Sequence, residues 1–352
     1  GNVTATSAMT SLSASTTTAG ATVVVGTVAE VEALTSLTLT ASNGDVTMGA
    51  LGGTGVADEL ATLTISSSGG DATVGAINAD TTSNDATDLA MTITASASAG
   101  DTSTVGAVDN EFGTVTINAS GSGTVTMGAL TAADATIDAS DVTGAFTVSS
   151  ASVAAAVDAT FGIGSNTYTV GLGNDQITLA AAAGTDIIKM NTTATAGDVY
   201  TINNFQAGAG GDRIDISLDA LDAAGDIIDG NGAALTAGTA IDIEAVTTGD
   251  LTLTTGKDVF AITDANFATI ALAEAAIEDT GSHELVFASA TAANDDFIVA
   301  WYDGTDTHIS SYIDATSTAT TNLAGGTLTD LFVLVGTDVS DLTDANFGAM
   351  IA

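Results

Sequence analysis

The chain has 352 residues, 43 of them acidic and 3 basic, for a formal net charge of −40 at pH 7. So little cationic charge excludes most nucleic-acid roles, which need a basic stripe against phosphate, and direct docking on bare anionic headgroups. Cysteine and proline are absent, which removes disulfide and thiolate chemistry, and a 45% hydrophobic content set in short β-branched runs separates the chain from disordered acidic tails.

A charge this far from zero opposes compaction through self-repulsion. Divalent cations are the natural compensation, because hard Ca²⁺ selects the oxygen ligands that Asp, Asn and backbone carbonyls supply. No apolar run of about 18 residues is present, so no transmembrane helix or membrane insertion is expected. No N-terminal signal peptide is visible.

Residues 1 to about 155 carry a loose repeat. One half reads Leu37-Thr38-Leu39-Thr40, Leu63-Thr64-Ile65-Ser66, Met91-Thr92-Ile93-Thr94 and Val115-Thr116-Ile117-Asn118. The other reads Val46-Thr47-Met48-Gly49-Ala50-Leu51, Ala72-Thr73-Val74-Gly75-Ala76-Ile77, Thr104-Val105-Gly106-Ala107-Val108 and Val125-Thr126-Met127-Gly128-Ala129-Leu130. The glycines Gly26, Gly49, Gly75, Gly106 and Gly128 are spaced 23, 26, 31 and 22 apart. That length suits one coil of a β-solenoid with two strands and two turns. Apolar residues face inward, and Thr takes the outer face because its branched side chain fits a pleated surface. Coil pairing starts almost at Gly1 with no polar cap in front, so further chain is expected before it. Asp45, Asp71 and Asp101 each follow a glycine and read as solvated turn residues, with Ca²⁺ ligation the alternative.

A nine-residue beat follows: Phe161-Gly162-Ile163-Gly164-Ser165-Asn166-Thr167-Tyr168-Thr169, then Val170-Gly171-Leu172-Gly173-Asn174-Asp175-Gln176-Ile177-Thr178, then Ala181 to Lys189 with Gly184 and Asp186. This is the G-G-x-G-x-D-x-U-x pattern, whose turns bind Ca²⁺ and whose short strands stack as a parallel β-roll. Residues 156–220 form this expected roll. Its last part, 198–217, runs Asp198-Val199-Tyr200-Thr201-Ile202-Asn203-Asn204-Phe205 into Gly211-Asp212-Arg213-Ile214-Asp215-Ile216-Ser217.

Residues 221–352 read as a β-rich domain with a few short helices. One helix is predicted to start with Thr263 to Phe267 and continue from Ala271 to Glu278. Phe297–Tyr302 and Thr307–Ile313 flank Asp303-Gly304, a hairpin signal. A strand at Leu331 to Val335 and a short helix around Thr343 to Met350 end the chain.

The nonapeptides and the 198–217 segment together resemble RTX proteins exported by type I secretion. The second block is similar to that family's paired-strand motif, with Asn204 where Asp is usual and a two-residue insertion. The Thr-rich coils look like the shafts of bacterial surface-layer proteins. The resemblance implies Ca²⁺ between successive turns, held by the sixth-position side chains Asn166, Asp175 and Asp186 and by carbonyls of glycines such as Gly164, Gly171, Gly173 and Gly184. It extends the ligand set to Asp198, Asn204, Asp212 and Asp215, with Asn166 marking the weakest site. It also implies a C-terminal uncleaved export signal and folding deferred until Ca²⁺ is met outside the cell.

No catalytic constellation is evident. The two histidines, His283 and His308, read as turn and surface-hairpin residues, and zinc-helix and serine-elbow motifs are absent. Trp301, Tyr302 and Tyr312 form either a cross-strand packing cluster or an aromatic platform for carbohydrate. The expectation is an all-β-dominated chain with a parallel β-solenoid and β-roll. It would be a Ca²⁺-dependent, extracellular structural protein on the bacterial surface, assembling with copies of itself into a layer or filament. The alternatives are the secretion module of an exported protease or lipase, and an adhesin for cell-surface polysaccharide.

Overall fold

Strict alternation decides the first half of the chain. In Leu37-Thr38-Leu39-Thr40 every second side chain points the same way, so a strand buries Leu and exposes Thr. In the computed structural model, residues 3–4, 9–29, 33–52, 60–80, 90–181, 184–191, 197–221, 227–249, 251–253, 256–291, 295–314 and 320–351 are described. Contacts divide the chain into two compact units, Gly1–Asp186 and Ile187–Ala352.

The first unit is a parallel β-solenoid. One ladder stacks Ser11–Thr16, Ser36–Ala41, Thr62–Ser67 and Ala90–Ala97. It continues through the end of Val108–Gly121, the end of Thr124–Val142, Asp158–Phe161 and Gln176–Thr178. A second ladder stacks Thr22–Val25, Asp45–Met48, Ala72–Val74, Thr102–Val105, the start of Thr124–Val142, Phe146–Val153 and Asn166–Thr169. The sequence suggested two strands per coil, and the structure adds a third. Val28, Leu51, Ile77, Val108 and Leu130 pair in parallel down a third side. Each coil gives this side only one or two inward residues, Ile77 with Ala79, Val108 with Asn110 and Leu130 with Ala132.

In-register stacking builds the core. Leu37, Leu63, Ile93, Ile117, Ile137, Ala159 and Ile177 form one inward column, and all are buried. Each such Leu or Ile contributes about 1.5–3 kcal/mol relative to exposure. A second column runs Val46, Ala72, Ser103, Val125, Phe146, Asn166. The outward column Thr38, Thr64, Thr94 confirms the expected outer threonines.

Glycines set the corners by close approach. A Cβ on Gly75 would lie 2.9 Å from the Gly49 carbonyl carbon, on Gly106 2.6 Å from that of Gly75, and on Gly128 2.8 Å from that of Gly106. The regular glycines of the sequence are therefore one corner. A second corner stacks Gly123, Gly144, Gly164 and Gly184, where a Cβ added to any of the last three would overlap the carbonyl oxygen of the glycine before it. Late coils shorten: Asp158 pairs with Gln176, 18 positions on, so two nine-residue beats make one coil.

The second unit mixes pairings. Ile187–Lys189 lies parallel to Arg213–Asp215, and Tyr200–Asn203 parallel to the end of Thr327–Val335. Thr327–Val335, Thr307–Ile313 and Asp296–Tyr302 are consecutive antiparallel neighbours. Val259–Asn266 and Ile243–Val246 extend that sheet in parallel. Phe260, Phe287, Phe297, Trp301 and Tyr312 fill its core against the helix Ile270–Ile277.

The Asp303-Gly304 hairpin is as expected, with Gly304 at φ +104 and Asp303 Oδ1 accepting the N–H groups of Thr305 and Asp306. Two helix predictions are corrected. Thr263 to Asn266 belong to strand Val259–Asn266, and the helix begins after Thr269. Strand pairing outweighs the local capping signal there. Where the helix around Thr343 to Met350 was expected, a 3₁₀ turn forms at Asp344–Asn346.

Candidate functional site

The nonapeptide turns place their sixth-position side chains inside the solenoid. Asn166 is 2% exposed, at the end of an apolar column. Its Nδ2 donates to Gly162 O at 3.0 Å, Gly164 O at 3.0 Å and Asp186 Oδ1 at 2.8 Å. Its backbone N–H donates to the same Asp186 oxygen at 2.8 Å. Asn166 Oδ1 is buried without a hydrogen-bond partner, a defect costing about 1–3 kcal/mol.

Asp175 is fully buried and receives donors on both oxygens. Val157 N–H reaches Oδ1 at 2.9 Å, while the Tyr168 hydroxyl and Gly171 N–H reach Oδ2 at 2.8 Å each. Ser150 Oγ donates in turn to the Tyr168 hydroxyl at 2.8 Å. Gly171 thus offers its N–H here, not only a carbonyl. Of the four glycines singled out in the sequence, Gly173 alone has a left-handed backbone, φ +90. Gly164 and Gly184 are glycines because successive turns touch there.

In the 198–217 segment Asp212 is fully buried and accepts Gln206 N–H on Oδ2 at 2.8 Å. Asp215 pairs with Arg213 Nε at 3.1 Å. Burial holds its carboxyl above the usual range, against the attraction of Arg213 and Lys189. Asn204 has φ +63, a left-handed turn that Asn tolerates better than most residues. Asp198 is half-buried just ahead of strand Tyr200–Asn203.

Sequence reasoning missed Asn346, which completes this segment from 138 positions away. It is fully buried. Its Nδ2 donates to Gln206 O at 3.3 Å, Gly208 O at 3.3 Å and Asp212 O at 2.9 Å. Its Oδ1 accepts Gly208 N–H at 2.8 Å, Thr343 N–H at 3.1 Å and the Thr343 hydroxyl at 3.2 Å. No local pattern around Thr343 to Asn346 announces that partner.

Of the oxygens assigned to Ca²⁺ from the sequence, the structure gathers Gly164 O and Asp186 Oδ1 on Asn166 Nδ2, together with Gly162 O; the cluster on Asn346 Nδ2 is made of the main-chain oxygens of Gln206, Gly208 and Asp212, and Asp175 and Asp215 meet other donors. In each cluster the oxygens stand at hydrogen-bond range from an N–H donor, 2.8–3.3 Å. Ca²⁺ takes 6–8 oxygens at about 2.3–2.6 Å. Among the described residues no three His, Asp or Glu side chains converge as a metal-holding group.

On the solenoid flank the glycine-following aspartates link coils. Asp45 Oδ1 accepts Asp71 N–H at 3.1 Å, and Asp71 Oδ1 accepts Thr102 N–H at 2.8 Å. These carboxylates are exposed or half-exposed, yet each caps the next coil.

The aromatic and histidine readings are settled by burial. Trp301 is 1% and Tyr312 0% exposed, so they pack the core and present no platform to a sugar. His308 is no surface residue. Its ring stacks on Trp301 at 4.1 Å, with Nδ1 2.9 Å from Asp330 and Nε2 3.6 Å from Asp303. Ser282, His283 and Asp264 form a hydrogen-bonded row at 2.8 Å steps. Asp264 also holds Thr248 N–H at 2.9 Å, and Ser282 O accepts Gly249 N–H. The row therefore joins two loops to strand Val259–Asn266.

Comparison with family models, with curated proteins and with solved structures returns no match. The likeness to RTX proteins accordingly stands on the motifs themselves.

Proposed function

We propose that this chain is an extracellular structural protein, exported by type I secretion, whose copies assemble into a bacterial surface layer or filament. The observation that carries the reading is the in-register parallel solenoid of the first unit. Its outward columns carry threonines such as Thr38, Thr64 and Thr94, and stacking of this kind suits lateral contact better than turnover of a substrate. The nonapeptide and 198–217 motifs add the export and Ca²⁺ expectations.

The charge supplies the mechanism. Carboxylates that cap coils or fill turns are engaged within the chain. Others point outward from the first ladder, among them Asp134, Asp138, Asp141 and Asp158. Asp138 stays ionised, because the hydroxyl and N–H of Ser140 hold its pKa below the usual value. Copies bearing such charge repel at contact distances, and at physiological ionic strength the repulsion fades beyond about 8 Å. Ca²⁺ bridging outward carboxylates of neighbouring copies removes that barrier.

The test is electron microscopy of the assembled protein before and after EDTA. Dispersal into single particles, reversed by Ca²⁺, is expected. Assemblies that persist without divalent cations sink the mechanism, and a chain that never assembles with Ca²⁺ sinks the reading.

A further inference from the structure

We infer that two asparagine amides, and not a bound cation, hold together the glycine-rich turns at 162–166 and 206–212. The two sites lie in different units and are built from unrelated stretches of chain, yet they share one geometry. In the first, Gly162 O, Gly164 O and Asp186 Oδ1 converge on Asn166 Nδ2. In the second, Gln206 O, Gly208 O and Asp212 O converge on Asn346 Nδ2.

Three oxygens aimed at one point repel unless something positive lies between them. A cation is one solution, and an amide –NH₂ with its two polar hydrogens is another. Three features favour the amide. The nitrogen already occupies the point of convergence. The oxygens lie 2.8–3.3 Å from it, which is N–H···O spacing and wider than Ca²⁺ coordination. The oxygens in contact with each nitrogen carry little formal charge: one carboxylate, Asp186, in the first cluster, and backbone carbonyls in the second, where the Asp212 carboxylate turns to Gln206 N–H instead.

The nearby carboxylates are served in the same way, Asp175 by Val157 N–H, Tyr168 and Gly171 N–H, and Asp215 by Arg213. The turns resemble a Ca²⁺-binding design whose cation position is filled by side-chain nitrogen. Asparagine at 166, a departure from the usual Asp, is then the residue that makes the first turn independent of metal.

The inference predicts how the full chain melts. Any divalent cation screens a charge of −40, so the informative quantity is the difference between Ca²⁺ and an equal concentration of Mg²⁺. Far-UV circular dichroism follows the whole chain, and fluorescence of Trp301 follows the second unit. For the wild type the Ca²⁺ and Mg²⁺ curves superpose, and EDTA at matched ionic strength leaves the fold in place. Asn166→Asp puts a second carboxylate among the oxygens of the first cluster. It lowers Tm in Mg²⁺, and Ca²⁺ restores it. Asn346→Asp does the same in the fluorescence melt.

A wild-type Tm clearly higher in Ca²⁺ than in Mg²⁺, or wild-type unfolding by EDTA, overturns the inference even if both variants fail to fold. Variants that fold and gain no preference for Ca²⁺ also overturn it. Loss of assembly in EDTA with an unchanged subunit Tm supports both this inference and the assembly reading. Assembly that survives EDTA, with Tm unchanged, rejects only the latter.

Discussion

Removing one negative charge from the second unit should stabilise it at neutral pH. Asp258 is 3% exposed and its Oδ2 accepts the N–H of Asp242 at 2.8 Å. Burial raises its pKa from 3.8 to about 6; the charges of Asp242 and Asp229 add to the rise, against the Asp242 N–H and Lys257. A carboxyl whose folded pKa exceeds its unfolded value binds its proton more tightly when folded. Its contribution is therefore fully present below pH 3.8, falls as pH rises toward about 6, and is gone at neutral pH.

At 1.36 kcal/mol per unit the gap corresponds to about 3 kcal/mol, which solvent on the open side reduces to about 1–2 kcal/mol. Asp258→Asn keeps an acceptor for Asp242 N–H and cannot ionise. We expect a gain of about 1–2 kcal/mol at pH 7 and almost none near pH 4. Urea unfolding followed by Trp301, the sole tryptophan and a member of the same core, reports on this unit. Asp341→Asn, an exposed position, controls for the general relief of repulsion. A gain equal at the two pH values, or no larger than that of the control, would refute the reasoning.

Three further outcomes are expected. Tyr168→Phe removes a donor to buried Asp175 and should cost about 1–3 kcal/mol in a circular dichroism melt; an unchanged melt would mean that Asp175 has no need of the hydroxyl. Gly164→Ala forces a Cβ onto the Gly144 carbonyl and should cost about 1–3 kcal/mol, with the loss confined to the first unit. Burial opposes the charging of His308, but Asp330 and Asp303 outweigh it and raise its pKa above 6.5. Its contribution is present below pH 6.5 and lost as pH rises through the folded value. Trp301 fluorescence should titrate with it, and His308→Gln should abolish that transition.

The solenoid was legible because its rule is local and repeated. Gly49, Gly75, Gly106 and Gly128 mark one corner, and the alternating Thr and Leu of residues 37–40 mark one side. The residues of the third side, Leu51, Ile77, Val108 and Leu130, recur two places after the corner glycines, but the stretch paired in each coil is too short to read as a strand of its own. The sixth-position residues of the nonapeptides were singled out as Ca²⁺ ligands, and their burial, shared by Asn166, Asp175 and Asp186, was not part of that reading. What each oxygen would meet was not readable, because its partner comes from another coil, or, for Asp212, from Asn346 far along the chain. The strand at Thr263 to Asn266 misled for the same reason: its neighbour in the sheet, Tyr302, is not nearby in sequence.

The shared register of the three ladders makes the first unit countable in coils. Ser36 pairs with Thr62 and Thr62 with Thr92, so residues 62–91 are one interchangeable step. Excising them would set Ile93 on Leu37, Ser103 on Val46 and Val108 on Leu51, restoring the register of all three ladders, with buried Ser103 losing its partner Ser67. Excising a single residue from Thr62–Ser67 would instead turn its buried face outward. For this unit, length in whole coils is the tolerant variable and length in residues the intolerant one.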